Sequence, residues 1–341
     1  MAKKLKFIQV GMGPIGINIA RNLMERENVE CVAAVEIDPD KIGRDVSDIL
    51  KLAEPTGVRV AGDAEFALAN SDADVVILAT VSSFIKLEEQ LMLCIKHKKN
   101  VVSSCEEMAY PWDEHPSESR RIDAAAKEAG VTVLGTGVNP GFAMDALPVF
   151  LSSVCRKVDS IRVERYQDAS RRRLPFQEKI GAGLSLDDFK AKVEAKIIRH
   201  VGFTESVQMI AKALGWTLDR VEDIVEPAIA ERELASQYLA VPEGAASGLL
   251  QTATGYRNGK PVITIELQAY LGHPTPKDSV FIDGIPSVYS EVKGGFNGDA
   301  ATCAIVANSV PVVCRAEPGL KTMLDVGLVS WFEGVSTGNG P

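Results

Sequence analysis

The sequence predicts an α/β fold in two parts: an N-terminal doubly wound parallel sheet and a second, α+β domain built on an antiparallel sheet. Three observations carry this. Short apolar, β-rich runs alternate with helical stretches from Lys6 to Gly135, the pattern of βαβ units. The glycine-rich turn "GMGPIG" joins the first such run to the first helix. After Pro140 the alternation stops, and long strands and a hairpin replace it. The expected domains are residues 1–140, residues 141–298, and a C-terminal helical segment over 299–335 that packs between them.

Lys6–Val10 reads as the first strand, and "INIARNLMER" follows with Ile17, Ala20 and Leu23 at helical spacing. Val32–Val35 is the next strand, with a helical stretch near Lys41–Leu50. "DVVILAT" (Asp74–Thr80) is a continuous β-rich run, as a strand buried on both faces requires. A helix covers roughly Leu87–Lys96, Val101 and Val102 begin another strand, Ile122–Ala129 is helical, and "VTVLG" (Val131–Gly135) closes the series. In the second part, Ser160–Ser170 reads as a long strand. Ser185 and Asp188 form a capping box for a helix ending near Arg199. "TESVQMIAKALG" is a helix with Thr204 as N-cap and Gly215 as terminator. "LQTATGYRNGKPVITIELQAYLG" is a hairpin turning at Asn258–Gly259, and strands follow near Ser279–Ile282 and Ser287–Val292. Asp299–Ala316 is an apolar helix, and the tail "STGNGP" has a disordered composition.

The chain has 341 residues, 46% hydrophobic and 24% charged, which suits an enzyme with a sizeable core. Its net charge of -9 argues against nucleic acid or an anionic membrane as partner. No run approaches a membrane span. The basic-then-apolar start "MAKKLKFIQVGMG" runs too soon into glycines for a signal peptide. The six cysteines form no C-x-x-C pair and read as reduced core thiols of a cytoplasmic protein. The histidines and cysteines are scattered, without the spacing of a metal site.

Gly11, Met12, Gly13, Pro14, Ile15 and Gly16 fit G-x-G-x-x-G between a strand and a helix, the context of a Rossmann dinucleotide-binding domain. The glycines allow a tight turn and close approach of a pyrophosphate, and the helix N-terminus attracts it. Glu36, 20 residues beyond Gly16, stands where a carboxylate accepts hydrogen bonds from the adenosine ribose of NAD. Lys41 and Arg44 lie close behind and partly offset it, so the reading is NAD with NADP accepted. Thr80, Val81 and Ser82 should line the cofactor on its nicotinamide side, and Asn139 and Pro140 should come near the nicotinamide ring.

Glu106 and Glu107 follow the strand at Val101 and so lie at the cofactor's edge of the sheet. Either one could instead cap the following loop. Among second-domain residues, Arg165 could hold a substrate carboxylate. His200 faces either a pocket or the core. The basic run "SRRR" (Ser170–Arg173) is either a solvated patch or a substrate contact. Val138 and Ala143 are small and would leave room for substrate side chains.

The segments "VVSSCEEMAYP", "LGTGVNPGFAMDALP", "DASRRRLPFQEKIGAG", "RHVGFTES" and "GDAATCAIVANSVPVVCRAEPGL" resemble 2,4-diaminopentanoate dehydrogenase and its relatives, the native NAD(P)-dependent amine dehydrogenases. The resemblance spans nearly the whole chain. More distantly the architecture is similar to dihydrodipicolinate reductase and homoserine dehydrogenase, the latter with a lysine where Glu106 aligns. The resemblance implies oxidative deamination of a small amine or diamino acid to a ketone and ammonia, and the reverse reductive amination. It implies Glu106 as the acid–base group and a homodimer. A carboxylate binds an ammonium, takes its proton and stabilises an iminium, whereas a lysine would repel it. Two alternatives stand beside this: a reductase of the dihydrodipicolinate reductase type, and a non-catalytic NAD-binding subunit.

Overall fold

The computed structural model describes residues 4–335, so the expected disorder of Ser336–Pro341 falls outside the described residues. Among the described residues two compact units emerge, the first from the chain's start to residue 142 with 297 onward, the second residues 143–296.

The first unit alternates strand and helix: β1 (Leu5–Val10), α1 (Pro14–Met24), β2 (Val29–Val35), α2 (Val46–Leu50), β3 (Val60–Ala61), α3 (Ala64–Ala69), β4 (Val75–Leu78), α4 (Phe84–Lys96), β5 (Asn100–Ser103), α5 (Pro116–Ala129) and β6 (Thr132–Gly135). Successive strand residues point to opposite faces, and both faces are covered. Phe7, Val75, Ile77, Val102 and Leu134 join a core under α1, while Ile8, Val76, Leu78, Val101 and Val133 join another with Leu87 and Leu91 of α4. This is why the strands read as unbroken apolar runs.

The second unit contains α6 (Ala146–Ser152), β7 (Lys157–Asp168), α7 (Leu174–Lys179), α8 (Leu186–Glu194), α9 (Phe203–Ala213), β8 (Arg220–Ile229), β9 (Leu234–Ala235), β10 (Ala240–Val241), β11 (Ala246–Arg257), β12 (Lys260–Tyr270), β13 (Lys277–Ile285) and β14 (Val288–Lys293). Its main sheet runs β14-β13-β7-β12-β11-β8. The sheet is mixed rather than purely antiparallel, because β7 and β12 pair in parallel while the other neighbours are antiparallel. Asn258 and Gly259 both take positive φ (53° and 72°), the pair of left-handed residues a two-residue hairpin needs. Ser185 caps α8, accepting from the Asp188 N–H at 3.1 Å, but α8 stops at Glu194, well short of Arg199, where Lys196 turns left-handed. The N-cap of α9 is Gly202 (φ 96°), not Thr204, which lies inside the helix.

The chain then returns to the first unit as α10 (Gly298–Val313) and β15 (Gly319–Lys321). β15 adds beside β6 to complete an all-parallel seven-stranded sheet, β15-β6-β5-β4-β1-β2-β3. α10 buries Cys303, Val306, Ala307, Val310 and Val313 in the same core as α1. Among the described residues, no helix is long and apolar enough to cross a membrane.

Candidate active site

The glycine loop divides its labour. A Cβ on Gly11 (φ 87°) would sit 2.4 Å from the Ala79 carbonyl oxygen, and one on Gly16 would sit 1.9 Å from that of Gly11. Those two glycines let strand, loop and helix close on one another. Gly13 meets nothing within 4 Å, so the loop offers open space where a pyrophosphate must approach. Met12 is buried, Pro14 opens α1, and Ile15 packs on the core beneath. The first turn of α1 carries no acidic side chain and no side-chain cap, leaving its positive end for an anion.

Glu36 closes the loop from the end of β2. One carboxylate oxygen accepts from the Met12 N–H at 2.7 Å, the other from the Ile37 N–H at 2.7 Å. The first of these, Oε2, keeps a further lone pair for a ribose hydroxyl, while Oε1 also accepts the Asp38 N–H at 3.3 Å. Lys41, expected to offset Glu36, is paired with Asp38 at 3.0 Å. A cleft of about 450 Å³ runs past Gly13, Glu36, Ile37, Ala64, Thr80 and Val81. Ser82 does not line it; its carbonyl accepts the Glu107 N–H at 3.3 Å. The glycine cradle, the fixed carboxylate and this cleft fit NAD.

Glu106 and Glu107 open a 3-10 turn (Glu106–Met108) directly beyond β5. Burial, then the neighbouring Glu106 charge, push the Cys105 thiol well above its ordinary range, so it stays protonated and inert. Glu106 is half-buried at the start of the turn. Glu107, for which the sequence left both a substrate contact and a cap open, is hydrogen-bonded within the fold. Its Oε2 accepts the Phe84 N–H at 2.8 Å and lies 3.6 Å from His115 Nε2. The physical reason is the bare N-terminus of α4, where Ser83 makes no side-chain cap.

The segment Thr136–Phe142 folds onto the same edge. The Thr136 N–H donates to the Ser103 carbonyl at 2.9 Å, and the Val138 N–H to Thr302 Oγ1 at 3.3 Å. The Asn139–Pro140 peptide is cis. Asn139 is 8% exposed, and neither its amide oxygen nor its amide nitrogen has a hydrogen-bond partner among the described residues. A buried primary amide with both functions open suits a ligand that both donates and accepts, as a carboxamide does. Val138 and Ala143 are buried, the latter in the second unit.

In the second unit Arg165 is only 2% exposed. Its guanidinium donates to Asp278 Oδ1 at 2.6 Å and to the Phe296 carbonyl at 3.1 Å. Burial opposes both charges of this pair, but a guanidinium does not give up its proton, so the pair is ionic. Thus the arginine expected at a substrate carboxylate already holds a carboxylate of its own strand layer. His200 is surrounded by protein although part of the residue still reaches the surface. Burial, then Lys179, with Arg165 and Arg172 adding to it, push its pKa down to about 3, so the imidazole is neutral. Its Nδ1 lies 2.9 Å from the Val201 carbonyl and donates to it, which leaves Nε2 as an acceptor.

Sequence reasoning missed the residues that hold His200. Gln251 accepts from the His200 N–H at 2.7 Å, donates to its carbonyl at 3.1 Å, and is itself held by Asp223 at 3.0 Å. It also missed Asp145, fully buried, which accepts from the Ser206 hydroxyl at 2.7 Å. A lone glutamine on the buried face of β11 was the available signal.

A dinucleotide cradle with an acidic turn at the next strand end is the apparatus of a nicotinamide-dependent oxidoreductase. Residues 142–337 match the profile of the 2,4-diaminopentanoate dehydrogenase C-terminal domain, and residues 5–133 that of the dihydrodipicolinate reductase N-terminus. The 2,4-diaminopentanoate dehydrogenase of Acetoanaerobium sticklandii is 33% identical over 339 residues, covering 95% of this chain and 94% of that one. An amine dehydrogenase of Streptomyces virginiae is 25% identical, covering 93% of this chain and 95% of its own. The structure of an amine dehydrogenase from Mycobacterium smegmatis matches with a TM-score of 0.85 at 23% identity, over 97% of this chain and 98% of that chain, a likeness of fold. The chain belongs to the 2,4-diaminopentanoate dehydrogenase family. It is an NAD(P)-dependent oxidoreductase acting on amines.

Proposed function

We propose that the enzyme oxidises a small amine bearing a carboxylate to the ketone and ammonia, and runs the reverse reductive amination, with Glu106 as the acid–base group. The observation that carries this is the position of the Glu106 turn: the next residue is hydrogen-bonded to Ser82, directly after cofactor-lining Thr80 and Val81. When bound, the nicotinamide supplies the hydride acceptor or donor. Glu106 attracts the substrate ammonium, takes a proton from it, and stabilises the cationic iminium until water adds. Asn139, with its open amide, orients the nicotinamide carboxamide. Val138 leaves room beside it. The name of the A. sticklandii relative, a 2,4-diaminopentanoate dehydrogenase, describes an amino acid and supports a substrate that carries a carboxylate. Glu36 favours NAD over NADP, because a 2′-phosphate would meet its charge. The protein is a cytoplasmic homodimer in this reading, assembled on the sheet of the second unit.

Glu106→Gln keeps size and hydrogen bonding while removing the charge and the proton acceptor. Amine turnover should fall by at least about a hundredfold, the lower range for a positioned acid–base group. NADH binding, followed by fluorescence, should stay unchanged. Near-normal turnover in this variant would overturn the assignment of Glu106.

A further inference from the structure

We propose that Glu107 is a positioning residue: it staples the turn carrying Glu106 to the loop that lines the cofactor cleft, so that both move as one body. The proposal rests on Glu106 being the acid–base group. Two hydrogen bonds form the staple. The Glu107 N–H donates to the Ser82 carbonyl at 3.3 Å, and the Glu107 carboxylate accepts from the Phe84 N–H at 2.8 Å. Residues 82 and 84 are thus held by one side chain and one backbone group of the same residue. Ser83, the N-cap of α4, makes no side-chain cap bond, so Glu107 supplies that cap from another strand's end. His115 Nε2 lies 3.6 Å from the same Glu107 oxygen, and its ring packs against Phe84 with centroids 5.7 Å apart.

The other side of the turn is equally confined. A Cβ on Gly135 would lie 2.5 Å from the Met108 carbonyl oxygen, so β6 tolerates only hydrogen there and the turn lies directly on it. The Ala109 N–H donates to the Glu106 carbonyl at 3.1 Å and closes the turn. Glu106 is therefore clamped between the β4–α4 loop and the end of β6. What the Phe84 N–H requires from residue 107 is an accepting oxygen at the right reach. A negative charge there adds a modest dipole contribution, since α4 already presents its positive end.

Reach and charge can be separated with two variants that preserve a polar side chain. Glu107→Gln keeps the accepting oxygen and loses the charge. Glu107→Asp keeps the charge and falls one carbon short. With saturating NAD and amine, Glu107→Gln should hold kcat within about threefold, while Glu107→Asp should lose about tenfold to a hundredfold, the effect of misplacing a reacting group by about 1 Å. Cofactor affinity, read by NADH fluorescence, should stay within about twofold in both, so the loss falls on kcat. If Glu107→Asp keeps full kcat, or if Glu107→Gln loses as much as Glu107→Asp, the positioning role is wrong. Glu106→Gln, assayed alongside, separates the two claims: full turnover there removes the acid–base assignment whatever the Glu107 variants do.

Discussion

Two adjacent carboxylates on one turn differ in what the fold asks of them, and the roles proposed for them rest on that difference. Glu107 answers the exposed amide ends of a neighbouring helix, and Glu106 heads the turn at the cofactor's edge of the sheet. The sequence placed both at that edge but could not divide them, because the division depends on an N–H from α4, 23 residues away. Arg165 teaches the same lesson. Its charge was legible; its partner Asp278, 113 residues on, was not. Arg165→Met should leave Asp278 buried without its counter-charge and destabilise the second unit by about 3–5 kcal/mol, measured by urea unfolding. His200 gives a pH signature. Its folded pKa, about 3, lies below the ordinary 6.5, so the unfolded chain binds the extra proton between those values. Stability from this residue is complete above about pH 6.5 and declines as pH falls towards 3. His200→Gln should therefore unfold with a shallower pH dependence between pH 6.5 and 4 than the parent protein. An equal slope in both would contradict a neutral, enclosed imidazole.

At the scale of elements, the strands of the first sheet were readable because burial on both faces forces continuous apolar runs. β8 was not read as a strand. It carries Glu222, Asp223 and Glu226 and contains Pro227, the composition of an edge strand that resists further pairing. β15 is only three residues long, and nothing in it marks its pairing with β6. The parallel pairing of β7 with β12 was equally hidden, since it joins segments about a hundred residues apart, Ile161 to Ile263. The glycine loop yields an element-level test. Gly16→Ala forces a methyl onto the Gly11 carbonyl and should cost about 1–3 kcal/mol of stability, the range for overpacking. Gly13→Ala points into open space, so it should leave the melting temperature unchanged while weakening NADH binding. Loss of stability in both variants would mean that Gly13 serves packing rather than the ligand.

For the whole molecule, the proposed dimer would be built on the second sheet. α9 covers the face carrying Ile263 and Gly255, where Val207 would crowd any side chain added at Gly255. The opposite face carries Arg162, Glu164, Tyr166, Lys277 and Phe281. Arg162 stacks on Phe281 at 3.9 Å, and Lys277 meets Glu164 at 2.5 Å. Glu164 is 4% exposed, deep for a charged residue on a face away from the helix. A broad sheet surface of aromatic and interlocked charged side chains suits a self-complementary interface. Light scattering at micromolar concentration should give twice the chain mass; a monomer would exclude this assembly. One assay tests the proposed chemistry directly. NADH oxidation is followed with a panel of small ketones and keto acids, with and without ammonium. Oxidation should require both the ketone and ammonium and be fastest with a keto acid. NADH oxidation that proceeds equally without ammonium, or NADH binding with no turnover under any condition, would contradict it.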